Sequence, residues 1–156
     1  MKFIQDMVNK IGSENLPREW SNKERLDLLL IDSDKQERIK GLLFEKVNYD
    51  DSNRSPSYFK TIKLADLAGI NRTDSVDDWL ALLFKLHKKI NFEKYKDQDE
   101  FNKYVSSLSS GNEDCPHVLE VNNKYYIDGN GKHRLTIAKC LEMDEFPVFV
   151  SKFKNT

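Results

Sequence analysis

The chain has little cysteine and no long apolar segment, and both shortages narrow its class. Cys115 and Cys140 are its two cysteines in 156 residues, which suits a protein that works in a reducing cytoplasm. No apolar run is long enough to predict a membrane span, and the first residues lack the layout of a secretory signal. We therefore expect a cytoplasmic protein without membrane contact.

The sequence also lacks an excess of charge of either sign. Its 25 lysines and arginines stand against 26 aspartates and glutamates, and the net charge is −1. No global field therefore attracts the chain to nucleic acid, and any such contact needs a local basic patch. The 38% hydrophobic and 33% charged residues are typical of a folded globular protein. At this length, one domain with a substantial core is expected.

Several familiar site motifs are absent as well. The sequence contains no Walker-type P-loop, no Rossmann fingerprint and no serine nucleophile elbow. Cys115-Pro116-His117, together with Cys140 and His133, offers residue types that zinc accepts. A single C-x-H without a second closely spaced pair nevertheless favours structural residues over a zinc site.

The most informative segment is Tyr125–Lys139, where an aromatic and β-branched run stops at a loop and an amphipathic helix follows. Gly129 and Gly131 allow a sharp turn and let an anion approach the backbone N–H groups closely. The helix start adds unpaired donors and a partial positive charge. Three basic side chains complete a phosphate cradle: Lys132, His133 and Arg134. The alternative is a plain strand–loop–helix connection with solvated basic residues.

Individual residues of this loop have different expected roles. Arg134 is the candidate for a forked hydrogen bond to phosphate. His133 can donate to a phosphate oxygen or shuttle a proton, or it can bond the local backbone. Asp128 can hold Mg²⁺, accept a proton or brace the loop. The candidate catalytic residues are Asp128 and His133, and the candidate ligand-binding residues are Gly129, Asn130, Gly131, Lys132, His133, Arg134 and Thr136.

The segment Asp128–Arg134 resembles the signature of the ParB/sulfiredoxin superfamily, in which a glycine turn opens a helix and holds nucleotide phosphates. The residues from Ala138 to Val150 are similar to the family's helix, short turn and closing Pro-Val strand. Looser similarity extends back to about Tyr58. There Thr61–Leu67 resembles the opening strand and turn, and Arg72 stands where an arginine often precedes the first helix.

The resemblance implies several chemistries at one loop. They are binding or hydrolysis of a nucleoside triphosphate (ATP or CTP, with Mg²⁺), nuclease-like activity on DNA, phosphorylation of a small molecule such as free serine, and sulfiredoxin chemistry. Sulfiredoxin activity is not expected, because Lys132 replaces the catalytic cysteine and cannot form the sulfur–sulfur intermediate. Cys140 lies two turns further along the helix. ParB segregation proteins carry a helix-turn-helix domain after this module, whereas this chain ends at Thr156, so we expect no segregation clamp.

Two classes of function remain open. One is a Mg²⁺-dependent nucleotide hydrolase or nuclease, with Asp128 and the further carboxylates Asp66, Asp74, Asp77 and Glu120 as candidates. The other is a non-catalytic nucleotide-binding module that acts with a protein partner, such as a phage or plasmid accessory factor, with its N-terminal helices as the partner surface. DNA contact, if it occurs, should be weak and electrostatic, through Lys124, Lys132, Lys139, Lys152 and Lys154.

The pattern of apolar residues predicts an α+β fold. A helical extension over residues 1–50 is expected to pack on a domain over 58–156, for which the resemblance implies a ParB/sulfiredoxin-like fold. Helices are expected at 3–11, 75–90, 97–111 and 132–141. Two more are expected to begin at capping boxes, one at Ser21 and one at Ser33, and the second of these should continue to Val47. A small mixed sheet is expected from strands 59–64, 117–121, 124–127 and 147–150, with a tight hairpin at Asn122-Asn123. The loop should lie at a cleft between the sheet and Ser75–Ile90.

Overall fold

The computed structural model describes residues 21–50, 52–72, 75–86, 92–93, 95, 97–108, 115–129 and 131–153. These residues form a mixed α+β structure with one six-stranded sheet and five α-helices, in accordance with the predicted class. The helices are α1 (Asn22–Leu28), α2 (Ser33–Lys40), α3 (Trp79–Phe84), α4 (Gln98–Ser107) and α5 (Lys132–Cys140). The strands are β1 (Glu45–Val47), β2 (Tyr58–Lys63), β3 (Leu67–Asn71), β4 (His117–Val121), β5 (Lys124–Ile127) and β6 (Glu145–Lys152). The helix predicted over 3–11 lies outside the described residues.

The strand order in the sheet determines where the glycine loop lies. The order is β1-β3-β5-β4-β6-β2. Strands β1, β3 and β5 are parallel to one another, whereas β4 is antiparallel to β5. The C-terminal ends of β3 and β5 therefore meet the start of β4 at one edge of the sheet. Asn71, Ile127 and His117 lie at this edge, and the glycine loop leaves the sheet here.

All four predicted strands are present, and β4 and β5 have the predicted bounds. The predicted hairpin between them is confirmed, because Asn122 and Asn123 have φ values of 53° and 65°, as both central residues of a type I′ turn require. Two further strands were not predicted. One of them, β1, shows that the expectation of a helix continuing from Ser33 to Val47 is wrong.

Strand β1 can join the sheet because β3 contains a glycine opposite it. Glu45 and Gly69 are register partners, and a Cβ atom on Gly69 would lie 1.7 Å from the carbonyl oxygen of Glu45. Any side chain at position 69 would therefore push β1 away from β3. Because β1 is a strand of the same sheet, part of the N-terminal third is sheet structure. The division into residues 1–50 and 58–156 stays a prediction.

The helix starts follow from short polar side chains, although not always the predicted ones. The capping box of Ser21 and Glu24 is present as predicted. Helix α2 is capped by Asp32 instead of Ser33, with the Asp32 carboxylate accepting from the Lys35 N–H at 2.9 Å. Helix α3 starts later than predicted, after Asp78, and ends within the described residues at Phe84. An aspartate caps both α2 and α3 because its negative charge complements the positive end of the helix.

Two apolar clusters cover the two faces of the sheet. The larger cluster lies under the helices and includes the fully buried side chains of Trp79, Phe101 and Phe146. On the other face, Ala68, Leu119, Val121 and Tyr126 pack with Val47, Tyr49 and Phe153. The segment after β1 is thus held against this second face. In the part of the chain that the structure describes, no helix has the length and apolar character to cross a membrane.

Candidate phosphate-binding site

Both glycines of the loop adopt a left-handed backbone, which makes the sharp turn that the sequence predicts here. Gly129 has a φ of 84° and Gly131 a φ of 100°. Gly131 is the N-cap of α5, which starts at Lys132 as predicted. A glycine has no side chain with which to cap a helix, whereas helices α1 to α4 each begin with a capping serine or aspartate. Asn130 lies outside the described residues.

The glycine at position 131 is also required by close packing. A Cβ atom there would lie 2.3 Å from the Cβ atom of Pro116, far inside contact distance. A Cβ atom on Gly129 would meet nothing within 4 Å, and Gly129 is exposed. The start of α5 is therefore pressed against the residue that precedes β4, while the outer part of the loop faces solvent. This arrangement fixes the helix terminus at the sheet edge.

The three basic residues occupy the first turn of α5, and all three side chains are half-buried. The Nη1 atom of Arg134 donates to the hydroxyl of Tyr104 at 2.8 Å. This bond ties the Arg134 side chain to α4. It also places α4 beside the loop, where the region Ser75–Ile90 was expected to form the wall.

An aromatic group from α4 and the segment before it includes Tyr104, the partner of Arg134. The rings of Tyr95 and Phe101 are stacked at 4.5 Å, and the ring of Tyr104 lies 6.0 Å from that of Tyr95. Burial raises the pKa of Tyr95 to about 12, and the nearby charge of Arg134 opposes that rise only in part. The Tyr95 phenol is therefore neutral at physiological pH. It serves as packing and as a hydrogen-bonding group, not as a base.

Asp128 is engaged by side chains from two other segments. Its carboxylate forms an ion pair with the guanidinium of Arg54, and Oδ1 accepts from Asn71 Nδ2 at 3.1 Å. The side chains of Asp128 and Arg54 are only 21% and 14% exposed. Arg54 also donates to the carbonyl of Tyr49 at 3.0 Å. Asp128 therefore braces the loop against the second face of the sheet, and Mg²⁺ or a proton would have to compete with Arg54 for it.

Thr136 and Lys139 lie in the core, not at the loop surface. Thr136 is fully buried, and among the described residues its Oγ1 atom has no hydrogen-bond partner. Direct contact with a ligand is therefore disfavoured for this residue. Lys139 is 6% exposed, and its Nζ atom donates to the Leu64 carbonyl and lies 5.6 Å from the Trp79 ring centre. Burial lowers the pKa of Lys139.

Most of the lysines predicted to contact DNA are engaged elsewhere. The prediction for Lys139 is wrong because its ammonium group is buried. Lys124 is paired with Glu45 at 3.2 Å, and Lys152 approaches Glu120 at 3.7 Å. Lys154 lies outside the described residues. Of the predicted set, Lys132 is the one that the structure places at the start of α5.

The other candidate carboxylates do not join Asp128. The Asp77 side chain is fully exposed and lies 3.7 Å from Lys46. Glu120 is paired in register with Tyr125, away from the end of β5 that bears the loop. Asp66 is in the 3₁₀ turn between β2 and β3, and Asp74 is outside the described residues. Within the described part of the chain, no three histidine, cysteine, aspartate or glutamate side chains form a group that could hold a metal ion.

The two cysteines are structural, as the sequence predicts. Cys115 and Cys140 are both fully buried thiols that form no disulfide, and burial raises the pKa of Cys140 strongly. Because only the thiolate reacts readily, we expect no reaction of the folded protein with a thiol reagent such as dithionitrobenzoate at mildly alkaline pH. Both thiols should react in guanidinium chloride. Rapid modification of either thiol under native conditions would contradict this burial.

A cavity of about 430 Å³ lies at the opposite end of α5 from the loop. It is lined by residues of α4 and by the turn after α5, including Gln98, Asn102, Glu142 and Asp144. The nine residues of α5 separate this cavity from the glycine loop by about 13 Å. It therefore does not correspond to the cleft expected at the loop, which stays a prediction.

Comparison of the chain with protein-family models, with curated proteins and with solved structures found no match in any of the three. The functional assignment therefore depends on the chemistry of the loop and of the residues that hold it. The residues brought together there are Gly129, Gly131, Lys132, His133 and Arg134, with Arg54, Asn71 and Tyr104 as neighbours that the sequence analysis did not identify.

Proposed function

We propose that this chain is a ParB/sulfiredoxin-like protein that binds the phosphate groups of a nucleotide or nucleic acid at the start of α5. The observation that carries the proposal is a helix that begins at a positive-φ glycine, without a capping side chain, and has Lys132, His133 and Arg134 in its first turn. A helix N-terminus attracts anions through its backbone N–H groups and its partial positive charge. Basic side chains at the same place add charge-assisted hydrogen bonds.

Arg134 is the central ligand-binding side chain in this proposal. Its guanidinium carries several donors in a planar fork that matches phosphate geometry, and Nη1 donates to the Tyr104 hydroxyl. The bond limits the freedom of a long side chain before a ligand arrives, which reduces the entropy lost on binding. Arg134 is thus preorganised beside the loop.

The contacts of Asp128 favour binding over turnover. A catalytic carboxylate would need access to Mg²⁺ or to an attacking water, whereas this carboxylate is paired with Arg54 and bonded by Asn71. In our proposal Asp128 holds the loop in its binding shape. Hydrolysis of a nucleoside triphosphate or of DNA is the second candidate function, and release of inorganic phosphate or cleavage of DNA by the purified protein would establish it.

The proposal is tested by a thermal-shift screen of the four nucleoside triphosphates, with and without Mg²⁺. A ligand that binds only the folded state raises the apparent melting temperature. We expect at least one triphosphate to do so, and we expect the shift to disappear in Arg134→Ala. The quantity to compare is the ligand-induced shift, because loss of the bond to Tyr104 should itself cost about 1 kcal/mol of stability.

Two further variants separate the role of Arg134 from a general effect of charge. Arg134→Lys keeps the charge but loses the fork, so it should retain only part of the shift. Arg38→Ala removes an exposed arginine that is paired with Glu142, and it should leave the ligand-induced shift unchanged. If Arg134→Ala responds to triphosphate as well as the unmodified protein does, the loop is a structural connection and the proposal fails.

A further inference from the structure

Three aromatic rings form a row across the sheet that ends at the glycine loop. We call this row, Phe59, Phe149 and His117, the aromatic row. The ring of His117 is stacked on that of Phe149 at 5.5 Å, and the rings of Phe149 and Phe59 meet edge-to-face at 6.2 Å. The three residues are register partners on β4, β6 and β2. They therefore line up perpendicular to the strands.

The aromatic row lies on the sheet face opposite the helices. His117 shares a strand face with Leu119 and Val121 by alternation, and these two side chains belong to the second apolar cluster. The apolar side chains of the described helices belong to the larger cluster on the other face. Phe59 is 36% exposed, and the other two rings are half-buried. A large aromatic side chain with this exposure on a sheet surface is available for stacking.

The backbone joins the aromatic row directly to the loop. The N–H of Asp128 donates to the carbonyl of His117 at 3.0 Å, and the N–H of Phe149 donates to the carbonyl of Pro116 at 2.8 Å. Pro116 is also the residue against which Gly131 packs. The row therefore starts beside the proposed phosphate site and leads away from it toward the edge strand β2.

We infer that this surface binds single-stranded nucleic acid, with one phosphate at the start of α5 and neighbouring bases stacked on the aromatic row. This inference rests on the proposed function and names its ligand class. Bases stack on exposed aromatic rings whatever their sequence, while basic groups bind the backbone. Here the three rings from adjacent strands offer the stacking surface, and the cationic loop at one end of the row offers the basic groups. A duplex would not fit, because its bases are already stacked on one another.

The length of the ligand distinguishes binding at the loop alone from binding along the aromatic row. Phe59 lies at the far end of the row from the loop, with two rings between them. A mononucleotide bound at the loop should therefore not depend on Phe59, whereas an oligonucleotide should. Two adjacent residues of β2 provide a matched pair for this test. Tyr58 and Phe59 are 37% and 36% exposed, and they point to opposite faces of the strand.

The experiment measures binding of a fluorescein-labelled oligothymidylate of about ten residues by anisotropy. Phe59→Ala should weaken its binding about tenfold, and Phe59→Trp should bind at least as well as the unmodified protein. Tyr58→Ala should change the affinity less than about twofold, because loss of a side chain on the other face removes no stacking surface. Mononucleotide binding should be unchanged in all three variants, and circular dichroism should confirm that each of them is folded.

Several outcomes would overturn the inference. Equal losses in Phe59→Ala and Tyr58→Ala would show that the aromatic row is not the binding surface. Binding of a mononucleotide without any binding of the oligothymidylate would reject the row and leave the proposed function intact, whereas failure of both ligands would reject both. A doubled mass in light scattering that Phe59→Ala abolishes would assign the surface to a second copy of this chain instead.

Discussion

Replacing Gly131 with alanine is expected to lower the free energy of unfolding by about 3 to 5 kcal/mol. Two costs combine at this position. The φ of 100° lies in a region that side chains other than glycine rarely adopt. The new methyl group would also lie 2.3 Å from the Cβ atom of Pro116, so that either α5 or the start of β4 has to move. Because α5 packs on α3, movement of its start would disturb the main core as well.

Gly129→Ala is the matched control for this prediction. Gly129 also has a positive φ, of 84°, but a Cβ atom there would meet no other atom within 4 Å. Only the strain of a positive φ applies to this variant, so its free energy of unfolding should fall by about 1 to 2 kcal/mol. Urea denaturation of the unmodified protein and the two variants, followed by circular dichroism, measures both differences. Equal losses in the two variants would contradict the close packing of Gly131 on Pro116.

Asp128→Ala is expected to lower the free energy of unfolding by about 2 to 4 kcal/mol. Removing this carboxylate leaves the guanidinium of Arg54, which is only 14% exposed, without its ionic partner. It also removes one of the two acceptors of Asn71 Nδ2. Asn71 in turn bonds the backbone of Tyr49 through both ends of its amide, at 2.7 and 2.9 Å. The variant should therefore loosen the loop and the segment after β1 together.

A double-mutant cycle, followed by chemical denaturation, measures the coupling energy between Arg54 and Asp128. Arg54→Ala and Asp128→Ala should be markedly non-additive, because the second change removes a group that the first has already left without its partner. Glu142→Ala is the surface control. It breaks the pair with Arg38, whose two side chains are 58% and 37% exposed, and exposed pairs contribute little to stability. If the losses of stability in the two single variants add up in the double variant, the ion pair between Arg54 and Asp128 does not stabilise the protein as a unit.

The glycine loop could be predicted from the sequence because its signals are local. Two glycines after a short strand and a basic first helical turn all lie within the stretch Asp128–Arg134. The residues that hold the loop could not be found in this way. Asp128 is bonded to residues 74 and 57 positions earlier in the chain, and Arg134 to one 30 positions earlier. Only the strand order brings Arg54, Asn71 and Tyr104 to the same place.

Strands β3 and β1 were not predicted, each for its own physical reason. Strand β3 has four consecutive buried residues, Leu67–Ile70, so it lacks the alternation that marks a half-buried strand. Strand β1 has only three residues, and the apolar residues after Gly41, the C-cap of α2, continue the helical spacing. Its place depends on the missing side chain of Gly69, which is a tertiary requirement. In contrast, the hairpin at Asn122 and Asn123 was predictable because both residues tolerate positive φ.

The central claim is that the start of α5 binds phosphate, and an NMR titration of the ¹⁵N-labelled protein with a Mg²⁺–nucleoside triphosphate tests it most directly. We predict that the largest shifts fall on the backbone amides of Gly129, Gly131, Lys132, His133 and Arg134. Amides lining the cavity at the other end of α5, such as those of Asn102 and Asp144, should be unaffected. Saturating ligand that leaves the loop amides unchanged, or that moves only amides elsewhere, would contradict the claim.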